Sequence, residues 1–455
     1  MSHEPDFTST DPRGAELAAE AARRHAARTG AAPRATASAP GTFPVLGEAA
    51  DYYGGAVVVA TAALRAGLAV SPRGDGTVTV EYTGPEGTFT DATDFETLEK
   101  LAAEQEPEID EEGREIEPPA PSGGLAVRFG GVAWTLLHRQ QIPRETSGLD
   151  VTVCTDIPAD AGLGALSAAD VALALALHSL DAQAVDDVPG RAKLAEACTQ
   201  GVAMFSEVPA MRARHTVALR GRADSLTVID YSDGSAAPVV SPFGRGLTAV
   251  VVADHAGAPV RRDKGVPVVR ARRRFLDHAT HAFGTDSLRR LPDANARTAD
   301  WLDAVHEVHG AEGTPETDEV REWLGFWERE TARALRLGAA LRSRHVDDAL
   351  ELLAESDLDQ ASRYSAAPDP GKVSAAARSA GARVARACCL ATDEAALAVL
   401  PAEGDAALSV KDFTAKLTEA AAGSPLVVEL GSGSPAALEG EAAGEQAAGE
   451  QAAGK

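Results

Sequence analysis

Residues 149–180 constrain the fold more than any other part of the chain, because they join a strand to a helix through a glycine-containing loop. A β-branched, apolar run ends at Ile157, the loop PADAGLGAL follows, and helical periodicity begins near Ser167, a candidate N-cap. In this layout, backbone N–H groups and a helix N-terminus can cradle a phosphate group. The candidate phosphate-loop residues are Gly162, Leu163, Gly164, Ala165 and Ser167. An ordinary capped turn is the alternative interpretation.

The rest of the sequence mixes short strands with helices. Short β-branched segments predict strands at 78–82, 149–157, 224–230 and 247–254. Helical patterns occur at 14–28, where we expect an exposed helix, and at 166–180, 191–205, 268–283, 317–356 and 371–388. Because the first half mixes both types and 268–356 is mainly helical, the sequence predicts an α+β fold of two domains, with a boundary near 241–246.

Two segments differ from this pattern. Residues 104–117 contain eight acidic groups and one arginine, and PPAPSGG follows at 118–124, so we expect a solvated acidic loop over 104–124. The last 25 residues are almost entirely Gly, Ala, Ser, Pro, Glu and Gln. Such a composition cannot bury enough apolar surface to fold and predicts disorder. The predicted units are an N-terminal tail and helix (1–35), an N-terminal domain (36–243), a C-terminal domain (244–424) and a disordered tail (425–455).

Charge and composition exclude several functional classes. The 455-residue chain has a net charge of −25 and only 4% aromatic residues, which argues against nucleic-acid binding and against binding to anionic membranes. No apolar stretch is long enough to span a bilayer, and the polar N-terminus lacks a secretory signal, so we expect a cytoplasmic protein. The cysteines, Cys154, Cys198, Cys388 and Cys389, show no CxxC spacing and are interpreted as buried free thiols, with no metal site.

A second candidate site lies at 39–58, in the sequence APGTFPVLGEAADYYGGAVV. Glycines bracket Glu48 and Asp51, which are three residues apart and precede an apolar strand. In a tight loop both carboxylates could contact a polyhydroxylated ligand. Solvated acidic side chains in a glycine-rich turn are the alternative, and the glycines themselves could be retained only to fix the entry into the strand.

Taken together, these segments resemble galactokinases, members of the GHMP superfamily of small-molecule kinases. Residues 39–55 match the signature APGRVNLIGEHTDYNGG at nine of seventeen ungapped positions, and 156–168 resemble the phosphate loop DIPxGAGLSSSAA. FSEVPAMRARH (205–215) and SLTVID (225–230) fall where the family has FVGxxCGIMDQ and ALLID. Later landmarks also resemble the family: the arginines at 272–274, ESDLDQASRYSAAP (355–368) and GARVARACCLATDEAALAVL (381–400).

The resemblance implies a two-domain fold with a cleft between an N-terminal mixed domain and a helix-rich C-terminal domain. It also implies ATP and Mg²⁺ as cofactors and a sugar as substrate. The family activates the sugar with an aspartate of MDQ, assisted by the arginine of GRxNL. These positions are Arg214 and Thr42 in this chain. A guanidinium has five donors and no acceptor, so it cannot serve as a base.

Other positions that the resemblance assigns to chemistry have also changed. The serines of the phosphate loop are Gly164, Ala165 and Leu166, and a glycine of that loop is Asp160. The His and Thr of GEHTDY are Ala49 and Ala50, the glycine-rich motif TGGGFGGC is replaced by residues 385–392, and the sugar-contacting tyrosine falls near Arg270. The scaffold positions remain, whereas nearly every chemical position is lost.

The sequence therefore predicts a galactokinase-like pseudokinase that binds a sugar or an anionic metabolite, or acts as a regulator. The candidate sugar-binding residues are Glu48, Asp51 and Tyr52. Three alternatives remain. The first is an active ATP-dependent galactokinase with an atypical site, in which Arg212, Glu207 or Asp156 could serve in a shifted register. The others are an anion site built on Arg212 and Arg214, and an interaction protein whose acidic segments contact a protein partner.

Overall fold

The computed structural model describes most of the chain. The described residues are 11–106, 108–109, 115–116, 118–159, 161–180, 185–253, 262–311, 314–364, 371–388, 395–420 and 425–440. The helices are α1 (Pro12–Thr29), α2 (Phe95–Ala103), α3 (Leu125–His138), α4 (Ala165–His178), α5 (Val188–Phe205), α6 (Arg212–Arg220), α7 (Arg262–Ala282), α8 (Ala294–His309), α9 (Thr317–Arg342), α10 (Val346–Arg363), α11 (Lys372–Ser379) and α12 (Val410–Ala420).

The strands form two main sheets and one short hairpin. They are β1 (Ala35–Leu46), β2 (Ala56–Arg73), β3 (Thr77–Gly84), β4 (Gly87–Asp94), β5 (Glu108–Ile109), β6 (Glu115–Ile116), β7 (Gly148–Thr155), β8 (Ser225–Asp230), β9 (Ser235–Val240), β10 (Leu247–Ala253), β11 (Val384–Ala387), β12 (Ala395–Pro401), β13 (Leu426–Glu429) and β14 (Ala437–Glu439). Together the elements confirm the predicted α+β fold, including each of the four strands that the sequence indicated.

The larger sheet has the strand order β14–β1–β2–β7–β3–β4. Its long strand β2 pairs with β8 over 56–60 and with β7 over 66–73, and β9 extends the sheet beyond β8. Alternate residues of β2 face opposite sides. Leu68 and Val70 belong to the main core with α4, whereas Ala69 packs with Leu17 and Ala21 of α1. The sheet is therefore covered on both faces.

The smaller sheet, β11–β12–β10–β13, is antiparallel throughout. Helices α11 and α12 cover one face, where Phe413 and Leu417 pack against Val250 and Val252. A separate cluster rich in aromatic residues joins α7, α8 and α9, and Ala50 from the turn between β1 and β2 packs into it. The glycine-bracketed turn thus lies where the larger sheet meets the helices of the second half of the chain.

Three local predictions need correction. Helix α1 is not fully exposed, since its apolar face, including Leu17 and Ala21, is buried against the sheet. The stretch 317–356 forms parts of two helices, because Arg344 adopts a left-handed conformation (φ 60°) between them. The stretch 371–388 contains a helix followed by a strand, α11 and β11.

The prediction of a disordered tail over 425–455 is wrong for residues 425–440. Strand β13 pairs with β10, and β14 pairs with β1. The small side chains of this segment fit closely against the sheet, and two buried arginines bind its backbone. Arg65 donates to the carbonyl oxygens of Ser434 (2.6 Å) and Pro435 (3.1 Å), and Arg191 donates to that of Ala436 (2.8 Å). Residues 441–455 lie outside the described residues.

Other predictions fall partly outside the described residues. Cys154, Cys198 and Cys388 are buried free thiols, as expected, and Cys389 lies outside. Most of the acidic loop also lies outside, although β5 and β6 within it form a short antiparallel pair. None of the helices that the structure describes is both long enough and apolar enough to cross a membrane.

Candidate functional site

The turn between β1 and β2 carries Glu48, Asp51 and Tyr52. Two of its glycines leave no room for a side chain. Gly47 has φ 94°, and a Cβ there would lie 2.5 Å from the carbonyl oxygen of Ala56. A Cβ on Gly55 would lie 2.0 Å from the carbonyl oxygen of Ala50. Since real Cβ atoms do not approach so closely, the glycines have a structural reason to be present, whether or not the turn binds a ligand.

Glu48 is fully buried and paired with an arginine from the other sheet. Its carboxylate accepts a hydrogen bond of 2.7 Å from Arg386 in β11. The same guanidinium donates to Glu330 in α9 at 3.0 Å and to the hydroxyl of Ser356 in α10 at 2.8 Å. Ser356 in turn donates to Glu330 at 2.7 Å. The Glu48 carboxylate therefore faces a buried ionic network.

Asp51 is also fully buried, at the N-terminus of α6. One carboxylate oxygen accepts a long hydrogen bond of 3.4 Å from the backbone N–H of Ala213. The other oxygen lies 3.8 Å from Arg273 and has no hydrogen-bond partner among the described residues. Burial raises the pKa of Asp51 to about 6, although the nearby Arg273 opposes this shift. Asp51 is thus an incompletely satisfied buried acid.

Both the hydroxyl and the ring of Tyr52 contact other groups of the chain. The hydroxyl donates to the carbonyl oxygen of Ala210 at 2.7 Å, and the guanidinium of Arg273 lies 4.0 Å from the ring centroid. Arg273 donates to the same carbonyl oxygen at 2.6 Å. Burial raises the pKa of Tyr52 to about 12. The three candidate sugar residues are brought together, but each is engaged by other protein groups.

The predicted phosphate loop does lie between a strand and a helix, β7 and α4. The helix begins two residues earlier than expected, and its N-cap is Gly164 in a left-handed conformation (φ 66°). The prediction of Ser167 as N-cap is therefore wrong, because Ser167 lies within the first turn. The backbone N–H of Thr42 in β1 donates to the carbonyl oxygen of Leu163 at 2.9 Å, which ties the loop to the sheet. Asp160 lies outside the described residues.

Arg214 in α6 reaches into this loop. Its guanidinium is buried and donates to the carbonyl oxygens of Gly162, at 2.8 Å, and Thr42. A Cβ on Gly164 would lie only 2.7 Å from an Nη atom of Arg214, so the absence of a side chain there allows the arginine to fit. Arg214 thus connects α6, the loop and β1.

Further arginines near the site bind backbone or aromatic groups. Arg270 donates to the carbonyl oxygens of Ser206 (3.1 Å) and Glu207. Arg212 pairs with Glu196 at 3.0 Å and lies 4.4 Å from the ring centroid of Tyr231.

Comparisons with known proteins identify the family. Galactokinases from dog, human and Streptomyces coelicolor are each 26% identical to the chain, and the alignments cover 67%, 73% and 69% of it and 69%, 74% and 70% of the relatives. The chain belongs to the galactokinase family. The crystal structure of Lactococcus lactis galactokinase complexed with galactose superposes over 92% of this chain and 98% of its own, with a TM-score of 0.65 at 15% identity.

The fold of the chain is also similar to that of another GHMP kinase. Methanococcus jannaschii mevalonate kinase covers 86% of the chain and 96% of its own length, with a TM-score of 0.51 at 9% identity. No protein-family model matches the sequence. The sequence resemblance predicts that Thr42 and Arg214 stand at the positions of the catalytic arginine and aspartate, and the structure brings these two residues into contact.

Residues 161–166 of the predicted phosphate loop are poor ligands for Mg²⁺. Between 161 and 166 the sequence offers no hydroxyl or carboxylate, which Mg²⁺ prefers as ligands. The carbonyl oxygen of Gly162 accepts from Arg214, and that of Leu163 accepts from Thr42. Across the described ranges, no group of three His, Cys, Asp or Glu residues is arranged to hold a metal ion.

Sequence reasoning missed Arg386, Glu330 and Ser356. Arg386 corresponds to the first glycine of the galactokinase motif TGGGFGGC in the ungapped alignment. A single arginine inside the otherwise apolar VARACCLA segment was the available signal, because a charge in a buried strand requires a partner. Its partners lie 56 and 338 residues away in sequence, beyond the reach of any local pattern.

Proposed function

We propose that this member of the galactokinase family is a catalytically impaired pseudokinase that acts as a binding or regulatory protein. The observation that carries the proposal is the position of Arg214. Its guanidinium is hydrogen-bonded to the carbonyl oxygens of Thr42 and Gly162, where the family alignment requires a carboxylate that accepts the proton of the sugar.

The replacement of a carboxylate by the guanidinium of Arg214 supports the proposed loss of kinase activity. A general base contributes about 10²–10⁴ to the rate, and a guanidinium offers no lone pair to accept a proton. Phosphoryl transfer depends on positioning and on compensation of phosphate charge. Residues 161–166 of the loop offer no hydroxyl or carboxylate for the metal, and Thr42 replaces the assisting arginine. Each change by itself reduces transfer from ATP to a sugar.

The proposed ligand class is a small sugar, which would be bound by Asp51 and Tyr52 with Glu48 nearby. Asp51 supports this assignment because its buried oxygen has no hydrogen-bond donor among the described residues, and a sugar hydroxyl could supply one. An anionic metabolite is less well supported. Arg214 donates to carbonyl oxygens, and Arg212 already faces Glu196 and Tyr231.

The test combines an ADP-release assay with calorimetric titration of galactose and of Mg-ATP. We expect no turnover with galactose and no saturable binding of Mg-ATP. Turnover near ordinary kinase rates, about 1–100 s⁻¹, would overturn the proposal and establish an ATP-dependent galactokinase with an atypical site. If neither ligand binds, the binding role fails as well. Recovery of a protein partner in a pull-down would then favour an interaction protein.

A further inference from the structure

The network around Arg386 joins two parts of the molecule that are distant in sequence. Arg386 lies in β11 of the smaller sheet, Glu330 in α9, and Glu48 in the turn that leaves the larger sheet. The side chains of these three residues are at most 1% exposed. Two carboxylates thus bind one guanidinium, and all three charged groups are shielded from solvent.

Such a network is difficult to open once it has formed. A buried charge is strongly unfavourable without its partner, so separating Glu48 from Arg386 requires rehydration of both groups or a replacement partner. The hydroxyl of Ser356, which accepts from Arg386 and donates to Glu330, completes the network.

Other groups from the second half of the chain hold the same turn. The hydroxyl of Tyr53 donates to the carbonyl oxygen of Arg273 at 2.6 Å, and the carbonyl oxygen of Tyr53 accepts from the backbone N–H of Leu288 at 3.0 Å. Arg289 donates to the carbonyl oxygen of Gly54 at 3.3 Å. The turn is therefore held in place at Glu48, by Arg386, and at Tyr53 and Gly54, the residues that lie closer to β2.

We propose that Arg386 is an autoinhibitory residue: its guanidinium occupies the Glu48 carboxylate and holds the turn against α9, so that a polyhydroxylated ligand binds the wild type only weakly. The inference rests on the proposed function, because it explains how the same site is regulated. A glycine at position 386, as the family alignment has, carries no side chain that could reach Glu48. A sugar must therefore compete with an internal ligand that is always present.

The competition has a measurable consequence. If only a small fraction of molecules has Glu48 released, the apparent affinity for a ligand of the turn falls by that fraction. Removing the guanidinium should restore the intrinsic affinity. The effect should depend on Arg386 and not on an arginine that is merely close to it in the sequence. Arg383 provides the matched control, since it precedes β11 by one residue and pairs with Asp347 at the exposed surface.

The experiment compares the wild type, Arg386→Gly and Arg383→Gly by calorimetric titration with galactose. We expect Arg386→Gly to bind galactose at least about tenfold more tightly than the wild type, and Arg383→Gly to match the wild type. Equal affinity of the wild type and a folded Arg386→Gly variant would overturn the inference. An equal gain in both variants would also overturn it, because the effect would not come from release of Glu48.

Arg386→Gly leaves two buried carboxylates without their cation, and it could fail to fold. The double variant Arg386→Gly/Glu330→Gln removes one of these charges and should show the same gain. Hydrogen exchange of the wild type supplies a test without any variant. We expect the amides of 47–55 to be protected to a degree comparable with β2, and exchange as fast as that of exposed loops would overturn the inference.

The two proposals fail in different ways. Kinase turnover by the wild type would contradict the pseudokinase proposal. Tight galactose binding by the wild type, unchanged in Arg386→Gly, would contradict only the autoinhibitory role of Arg386.

Discussion

The guanidinium of Arg214 lies 2.8 Å from the carbonyl oxygen of Gly162, so helix α6 donates a hydrogen bond to the loop between β7 and α4. The second hydrogen bond of Arg214, to the carbonyl oxygen of Thr42, connects the two residues that the sequence resemblance aligns with the galactokinase catalytic pair. Arg214 therefore has a structural role at a position where the resemblance predicts a catalytic carboxylate.

Replacing Arg214 should cost stability. Arg214→Ala removes two hydrogen bonds and leaves buried carbonyl oxygens without donors, which should lower the free energy of unfolding by about 2–4 kcal/mol. Urea denaturation measures this difference. Arg222→Ala is the control, because Arg222 is exposed, and it should change the free energy by less than about 0.5 kcal/mol. Equal effects of the two variants would contradict a structural role for Arg214.

Restoring the two catalytic positions should not restore the activity. The double variant Thr42→Arg/Arg214→Asp regains the side chains that the family uses, but Glu48 stays paired with Arg386 and residues 161–166 still lack hydroxyl groups. We expect ADP release with galactose to stay at the level of the buffer control. A clear rate above that level would show that only these two positions were lost.

The stability contribution of Asp51 should depend on pH. Its pKa is raised from 3.8 to about 6, so the folded state holds the proton more tightly than the unfolded state. The contribution is therefore fully present at low pH and is lost as pH rises from about 4 to 6. Above pH 7, Asp51→Asn should be more stable than the wild type by about 3 kcal/mol, and the gap should close near pH 4.

Urea denaturation at several pH values checks this prediction. Asp405→Asn is the control, since Asp405 is exposed, and it should follow the wild type at every pH. A lower stability of Asp51→Asn at pH 7–8 would show that the contacts of Asp51 with Arg273 and α6 outweigh the cost of its burial.

The C-terminal segment should be essential for folding up to residue 440. A chain that ends at Gly440 keeps every contact described for β13 and β14 and should melt close to the full-length protein. A chain that ends at Leu430 loses β14 and the carbonyl acceptors of the buried Arg65 and Arg191. We expect it to melt at a much lower temperature or to aggregate. Equal melting temperatures, measured by circular dichroism, would contradict this role.

The fold class could be predicted because it depends on local patterns. Strands β3, β7, β8 and β10 are short and β-branched, and most helices show clear periodicity, so neighbouring residues in the sequence were sufficient. The same reasoning failed for β14, whose sequence is only Ala437, Leu438 and Glu439. Such a strand is stabilised by its pairing with β1 and by Arg65 and Arg191, none of which is near it in the sequence.

For the candidate site too, some features could be predicted from local sequence and others depended on the tertiary structure. The sequence alone determined which residue types stand in the segments that resemble the family motifs, and it predicts that a guanidinium replaces a carboxylate at Arg214. Only the tertiary structure decided which partners the carboxylates of Glu48 and Asp51 have. Glu48 meets Arg386 across 338 residues, and Asp51 meets Arg273 from another helix. The physical reason is that the partner of a buried charge is selected by proximity after folding, and proximity between distant segments leaves no local pattern.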